Sequence, residues 1–310
     1  MTSNSIDIEK LKAFRFERLL NEDPVLHSLT LLGTIPNNES TNLPAIVRVE
    51  KTPLPASSAT TVIEEQLDNV QPIESTDIYT WMLGWLKTSP EHPSVKINVI
   101  YPATEVHIRK YTTQVITMVH ETPEIYQAVV KPYIDAFPPS RTQWVRNILS
   151  GESEADKVLY RSSNPEPGFI ILPDMKWDLT TVSALYLVAI ALNDSIRSLR
   201  DLRRTHIPML RSIHHEASRI AKEKWGLGQG SLRFYVHYQP SYYHFHVHIV
   251  NANYFGQMGN TVGQAHLLDD IIAFLELDPD DGPSIFQRMT LTYGVGDQHG
   301  LYEPLIKAQN

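Results

Sequence analysis

The 310-residue chain is 42% hydrophobic and 20% charged, the composition of an ordinary globular protein with room for two modest domains. It has no cysteine, which excludes disulfides, thiolate metal sites and a cysteine nucleophile. Its net charge of −8 disfavours a grip on long nucleic acid, and no run approaches the roughly 20 apolar residues of a membrane-spanning helix.

In chain order, the segment Met1 to Phe14 carries charges inside its only apolar run, unlike a secretory signal, so the expectation is an intracellular protein, cytoplasmic with nuclear entry left open. Ile8 to Leu20 predicts an amphipathic helix. Short β-like runs follow at His27 to Ile35, Pro44 to Glu50, Asp77 to Leu86 and Val95 to Tyr101, separated by turn-rich stretches such as 36–41 and 52–58. These make a small α+β domain. The pattern changes around Tyr101-Pro102-Ala103-Thr104, giving an amino-terminal domain over 1–112 and a carboxy-terminal domain over 113–310.

In the second part, Thr122-Pro123-Glu124 supplies an N-cap and a proline at the first helical position, opening a helix to about Phe137 that Pro138-Pro139 stops. Gly168 to Leu172 reads as a buried strand, Leu179 to Leu199 as a strongly apolar helix, and Thr205 to Trp225 as an amphipathic helix. Two β-runs, Leu232 to Tyr238 and Tyr243 to Asn251, flank the turn Gln239-Pro240-Ser241-Tyr242. Gln264 to Leu277 predicts a helix, and Met289 to Tyr293 a last strand. The fold class is α+β, with an α/β second domain built on an antiparallel sheet.

Of thirteen histidines, four (His237, His244, His246 and His248) fall within twelve residues. From His244 to Val250, histidine alternates with apolar residues. In a strand, residues two apart share a face about 6.6–7 Å apart, so three imidazoles line one side while Phe245, Val247 and Ile249 face a core. A hairpin brings His237 toward them. Three readings stand: a polar face that happens to be histidine-rich, a metal site, or nucleophilic catalysis on phosphorus. Histidine at its ordinary pKa near 6.5 offers neutral imidazole at pH 7, and a phosphorylated imidazole is readily displaced by water. The metal reading suffers from the lack of a nearby carboxylate in the hairpin to orient the rings.

The run His244 to Val250 resembles the His-φ-His-φ-His-φ-φ signature of the histidine triad family, where φ is apolar. That resemblance implies His246 as nucleophile, with His244, His248 and His237 as its catalytic partners. A longer resemblance, to the scavenger mRNA decapping enzymes, is carried by 237–248, Leu172 to Trp177, Ser198 to Leu202, Gln143 to Leu149, Tyr101 to Thr104 and Asp77 to Tyr79. It implies a metal- and cofactor-independent hydrolase that cleaves 7-methylguanosine cap dinucleotides and short capped oligoribonucleotides, releasing 7-methylguanosine monophosphate. It also implies a homodimer with exchanged amino-terminal domains. The partner is a small capped nucleotide, with no long nucleic acid and no membrane.

By that resemblance Trp144 stacks on the cationic base with Met175 opposite, Glu154 accepts from the guanine edge, and Asp174 and Lys176 contact the nucleotide. Ser241 and Tyr242 could donate to phosphate oxygens. Each has a plain alternative: Trp144 as core, Glu154 as part of a solvated acidic face, Asp174 and Lys176 as a surface ion pair. The sequence departs from the family at Thr76, where asparagine is common on the lid domain, and at Gln264, where some relatives carry arginine. Two other functions fit the same motifs: hydrolysis of unmethylated dinucleoside polyphosphates, and a weakly active cap-binding paralogue.

Overall fold

A computed structural model describes residues 6–37, 41–52, 54, 58–88, 93–163, 168–254, 261–279 and 281–309. The turn stretches 36–41 and 52–58 read from the sequence lie partly outside these residues. The chain divides into two compact units, Met1–Thr113 and Gln114–Asn310. Among the described residues every strand pair is antiparallel, and no helix is long and apolar enough to cross a membrane.

In the first unit, a short helix Ile8–Lys12 precedes β1 (Arg15–Asp23), β2 (Ser28–Pro36), β3 (Asn42–Lys51), β4 (Leu67–Thr76), β5 (Tyr79–Leu86) and β6 (Val95–Ile100). The strands β1-β2-β3-β6 form one sheet, with a small core of Leu20, Leu32, Ile46 and Ala103. The amphipathic helix predicted for Ile8 to Leu20 therefore ends at Lys12, and the rest is strand. Pairing with β2 decides this, because the chain at Arg15 runs so close to Gly33 that a Cβ there would fall 2.1 Å from the Arg15 carbonyl. Among the described residues, the second sheet is the β4–β5 hairpin alone. No element was expected at β4, which is exposed along almost its whole length and carries Pro72, a residue tolerated at sheet edges.

The second unit holds β7 (Ile116–Glu121), β8 (Tyr160–Arg161), β9 (Phe169–Pro173), β10 (Tyr186–Ala191), β11 (Leu232–His237), β12 (His246–Asn251), β13 (Ala265–Leu267) and β14 (Leu291–Gly296). Six of them form a sheet in the order β13-β11-β12-β10-β9-β8, and β14 pairs with β7. The predicted helix over Leu179 to Leu199 is a correction. Its centre is β10, a middle strand of the sheet with all six residues buried. A short continuous apolar run has no stripe to separate helix from buried strand, and burial on both faces selects the strand. The helix predicted from Gln264 likewise begins only at Leu268, after β13. Thr122 caps its helical run as expected, its hydroxyl accepting from Ile125 N at 3.3 Å.

The two faces of the six-stranded sheet differ. Phe169, Ile171, Leu187, Ala189, Val247 and Ile249 belong to the main core with the helix Ile207–Trp225. The opposite face pairs Ile190 with His246 and Val188 with His248 in register. There, Ile170, Leu172, Val188 and Ile190 pack under the helix Gln143–Ser150 through Val145 and Ile148.

Candidate active site

The alternation of His246 to Asn251 does what a strand demands. Val247 and Ile249 sink into the core, while His246 and His248 emerge on the opposite face with ring centroids 4.8 Å apart. His237, at the end of β11, brings its ring to 4.4 Å from that of His248. β12 begins only at His246, so His244 stands just ahead of the strand. There Phe245 N donates to Ile196 O at 2.8 Å, tying the entering chain to the loop after β10.

Hydrogen bonds to backbone carbonyls fix two of the rings. A carbonyl can only accept, so a ring nitrogen facing one must carry the proton. His244 Nε2 donates to Ala191 O at 2.7 Å, and His246 Nδ1 donates to His244 O at 2.8 Å. The second bond leaves Nε2 of His246 as a bare lone pair. That nitrogen is buried with no partner among the described residues, and His246 is only 3% exposed. Burial pushes its pKa down to about 4, overcoming the bond to the His244 carbonyl, so the lone pair is free at neutral pH. Burial likewise lowers the pKa of His244 and His248, with the neighbouring His246 adding to the effect on His248.

Tyr242 lies flat on His246, ring centroids 4.2 Å apart and planes within 11°, and Trp144 meets Tyr242 edge-on at 4.9 Å. Trp144 is 44% exposed on its helix and so is not a core residue. Lys176 places its ammonium 5.5 Å from the Tyr186 ring centroid, and its charge reaches His246 and His248, lowering both pKa values. Asp174 Oδ1 accepts from the Lys176 backbone N–H at 2.9 Å, shaping the turn that leaves Met175 94% exposed. Ser241 is exposed in the connection between β11 and β12. Glu154 sits in a left-handed backbone conformation (φ 53°) with Lys157 Nζ 3.4 Å from its carboxylate. Thr76 belongs to the first unit, at the end of β4 opposite Tyr79. Gln264 accepts from Tyr238 N through its main-chain carbonyl at 3.0 Å. Among the described residues, no group of three His, Asp or Glu is arranged to hold a metal ion.

Two features were missed from the sequence. Tyr186 Oη lies 2.9 Å from His248 Nδ1, and Tyr235 stacks on His248 at 5.2 Å. The period-two pattern of Leu232 to Tyr238 already set Tyr235 on the same face as His237; Tyr186 was hidden by the helix reading. The loop between β11 and β12 is also anchored from beneath. Glu121, fully buried, pairs with Arg200 at 2.7 Å and accepts from Tyr238 Oη at 2.7 Å, Tyr293 Oη at 2.6 Å and Gln239 Nε2 at 3.2 Å. Gln239 in turn accepts from Tyr243 Oη at 3.1 Å.

Comparison with known proteins adds to this geometry. Residues 9–114 match the family model for the scavenger mRNA decapping enzyme (DcpS) N-terminal region, and residues 143–263 match the scavenger mRNA decapping enzyme C-term binding model. The chain belongs to the scavenger mRNA decapping enzyme family. Relatives include the m7GpppX diphosphatase of Schizosaccharomyces pombe, 38% identical over 98% of this chain and 97% of its own. Those of Ascaris suum (35% identical, 94% and 93% covered) and Homo sapiens (35%, 96% and 86%) are also similar. The second family match spans both the histidine strand and the helix that presents Trp144.

Proposed function

We propose that this protein hydrolyses the triphosphate bridge of 7-methylguanosine cap dinucleotides and short capped oligoribonucleotides, releasing 7-methylguanosine monophosphate through a nucleotidyl adduct on His246. One observation carries the reading: the bare Nε2 of His246, held unprotonated by burial and by its Nδ1–H bond to the His244 carbonyl. The names of the relatives, m7GpppX diphosphatase, supply the substrate.

In the first step Nε2 attacks the phosphorus nearest the methylated nucleoside. The P–N bond forms as the bond to the bridging oxygen breaks, and the remainder leaves as a diphosphate. Water then attacks the same phosphorus, giving its proton to solvent and returning the electron pair to nitrogen. His248 and His237 flank the reacting centre, and Lys176 adds positive charge for the phosphates. Trp144 offers an exposed aromatic face to the cationic base, with Met175 opposite and Glu154 accepting at the guanine edge. Asp174, Ser241 and Tyr242 complete the nucleotide contacts, and Thr76 replaces the family's usual asparagine on the lid. No metal takes part in this scheme.

A homodimer built through the amino-terminal unit is part of the reading. A lone two-stranded hairpin is marginal in water, yet β4–β5 exposes Val70, Ile73, Tyr79, Trp81 and Trp85. Exchange of this unit between protomers would cover them.

The test is hydrolysis of 7-methylguanosine cap dinucleotide by purified protein in the presence of chelator, with the unmethylated dinucleotide alongside. The expected result is turnover of the methylated substrate and its loss in His246→Asn. Equal activity in that variant, or activity abolished by the chelator, overturns the scheme.

A further inference from the structure

Carbonyl groups dictate which nitrogen carries the proton in His244 and His246, but the nitrogen Nδ1 of His248 meets a phenol instead: Tyr186 Oη, 2.9 Å away, with both residues buried. We propose that Tyr186 is a positioning residue that holds His248 as its Nε2–H tautomer, so that a hydrogen-bond donor stands beside the bare Nε2 of His246. This rests on the reading of the site as a phosphoryl-transfer centre.

A phenol can donate or accept, so the direction of the bond must be argued. Burial holds the Tyr186 phenol far above its ordinary pKa, so its hydrogen is present and needs an acceptor. The Tyr235 hydroxyl is a second neighbour of the Tyr186 phenol, but an imidazole nitrogen is a stronger acceptor than a phenol oxygen and His248 Nδ1 stands at 2.9 Å, so it receives the Tyr186 hydrogen. With Nδ1 protonated instead, the phenol hydrogen would have to turn to the weaker acceptor Tyr235 Oη, disfavouring that tautomer by roughly tenfold. Lys176, with its ammonium 5.5 Å from the Tyr186 ring centroid, makes the phenol a better donor. Tyr235 stacked at 5.2 Å and His237 at 4.4 Å leave the His248 ring little freedom to turn over.

The consequence is a division of labour between two adjacent rings. Nε2 of His246 has a lone pair to give, whereas Nε2 of His248 has a hydrogen to offer a phosphate oxygen as negative charge builds on it. Both nitrogens are buried without partners among the described residues, as expected of groups kept for a ligand. The opposite tautomer would present two lone pairs to an anionic phosphate.

The experiment is nitrogen NMR of the full chain carrying 15N-labelled histidine, comparing wild type with Tyr186→Phe at neutral pH, alongside steady-state kinetics on 7-methylguanosine cap dinucleotide. The wild type should show His248 with Nε2 protonated and Nδ1 bare, and the variant should shift toward a mixture of tautomers. Its kcat should fall about ten- to a hundredfold with KM changed by less than about twofold, the pattern of a lost supporting hydrogen bond. A wild-type His248 protonated on Nδ1 overturns the assignment. So does a variant that keeps both the Nε2–H tautomer and its kcat. If the wild type shows the expected tautomer but does not turn over the cap dinucleotide, the Tyr186 assignment stands and the functional reading fails.

Discussion

Acid should weaken this fold through the same ring proposed as the nucleophile. His246 is buried and neutral, with its pKa pushed down to about 4, whereas in the unfolded chain it returns to about 6.5. The unfolded chain therefore takes up the proton first. The stability contributed by His246 is full above about pH 6.5 and is lost as pH falls through about 4. Across the whole interval the loss is about 3 kcal/mol, and at about pH 5 it is already about 2 kcal/mol. With a urea dependence of about 1–3 kcal/mol per molar, that is a drop in midpoint of roughly 0.7–2 M between neutral pH and about pH 5. The assay is urea unfolding at both pH values, followed through the emission of the buried Trp177, for wild type and His246→Asn. Asparagine cannot titrate, so the variant should lose about 2 kcal/mol of the pH dependence whatever its absolute stability. His244, His248 and His266, also lowered by burial, act in the same direction and remain in both proteins. Equal pH dependence in the two proteins would refute the burial argument. The acid limb of kcat/KM gives a second check: it should fall near about pH 4, and an inflection near 6.5 would mean that His246 is hydrated and ordinary.

Two further outcomes follow from the packing. Arg200→Met leaves the Glu121 carboxylate buried without its cation and should cost about 3–5 kcal/mol, lowering the melting temperature by roughly 6–20 °C in calorimetry. Trp144→Leu removes the exposed face next to Tyr242. It should weaken binding of 7-methylguanosine monophosphate about tenfold in a titration while lowering affinity for unmethylated guanosine monophosphate much less.

The histidine strand was legible because its two faces differ in kind: one alternating pattern specified the secondary structure, the buried side and the cluster at once. β10 was not, because Tyr186 to Ala191 is buried on both sides and carries no alternation to read. That loss also hid Tyr186, whose contact with His248 depends on strand register. Ile8 to Leu20 misled for a different reason. Its apolar spacing suits a helix, and only the approach of Gly33 from β2, distant in sequence, converts it to strand. Glu121 and Arg200 look like surface charges until the fold brings them together from 79 positions apart. Trp144 and Lys176 could be named from motif resemblance, but their proximity to Tyr242 and Tyr186 comes from tertiary packing.

The phenol ring laid over His246 has a stereochemical consequence. With one face of the imidazole roofed at 4.2 Å and the lone pair directed in the ring plane, phosphorus can reach nitrogen only edge-on. In the proposed scheme each in-line displacement inverts the geometry at that phosphorus, so the two steps invert it twice. A substrate made chiral by sulfur at the methylguanosine-linked phosphate and cleaved in water enriched in heavy oxygen, which keeps the product phosphorus chiral, should thus show retained configuration, whereas direct attack by water would invert it.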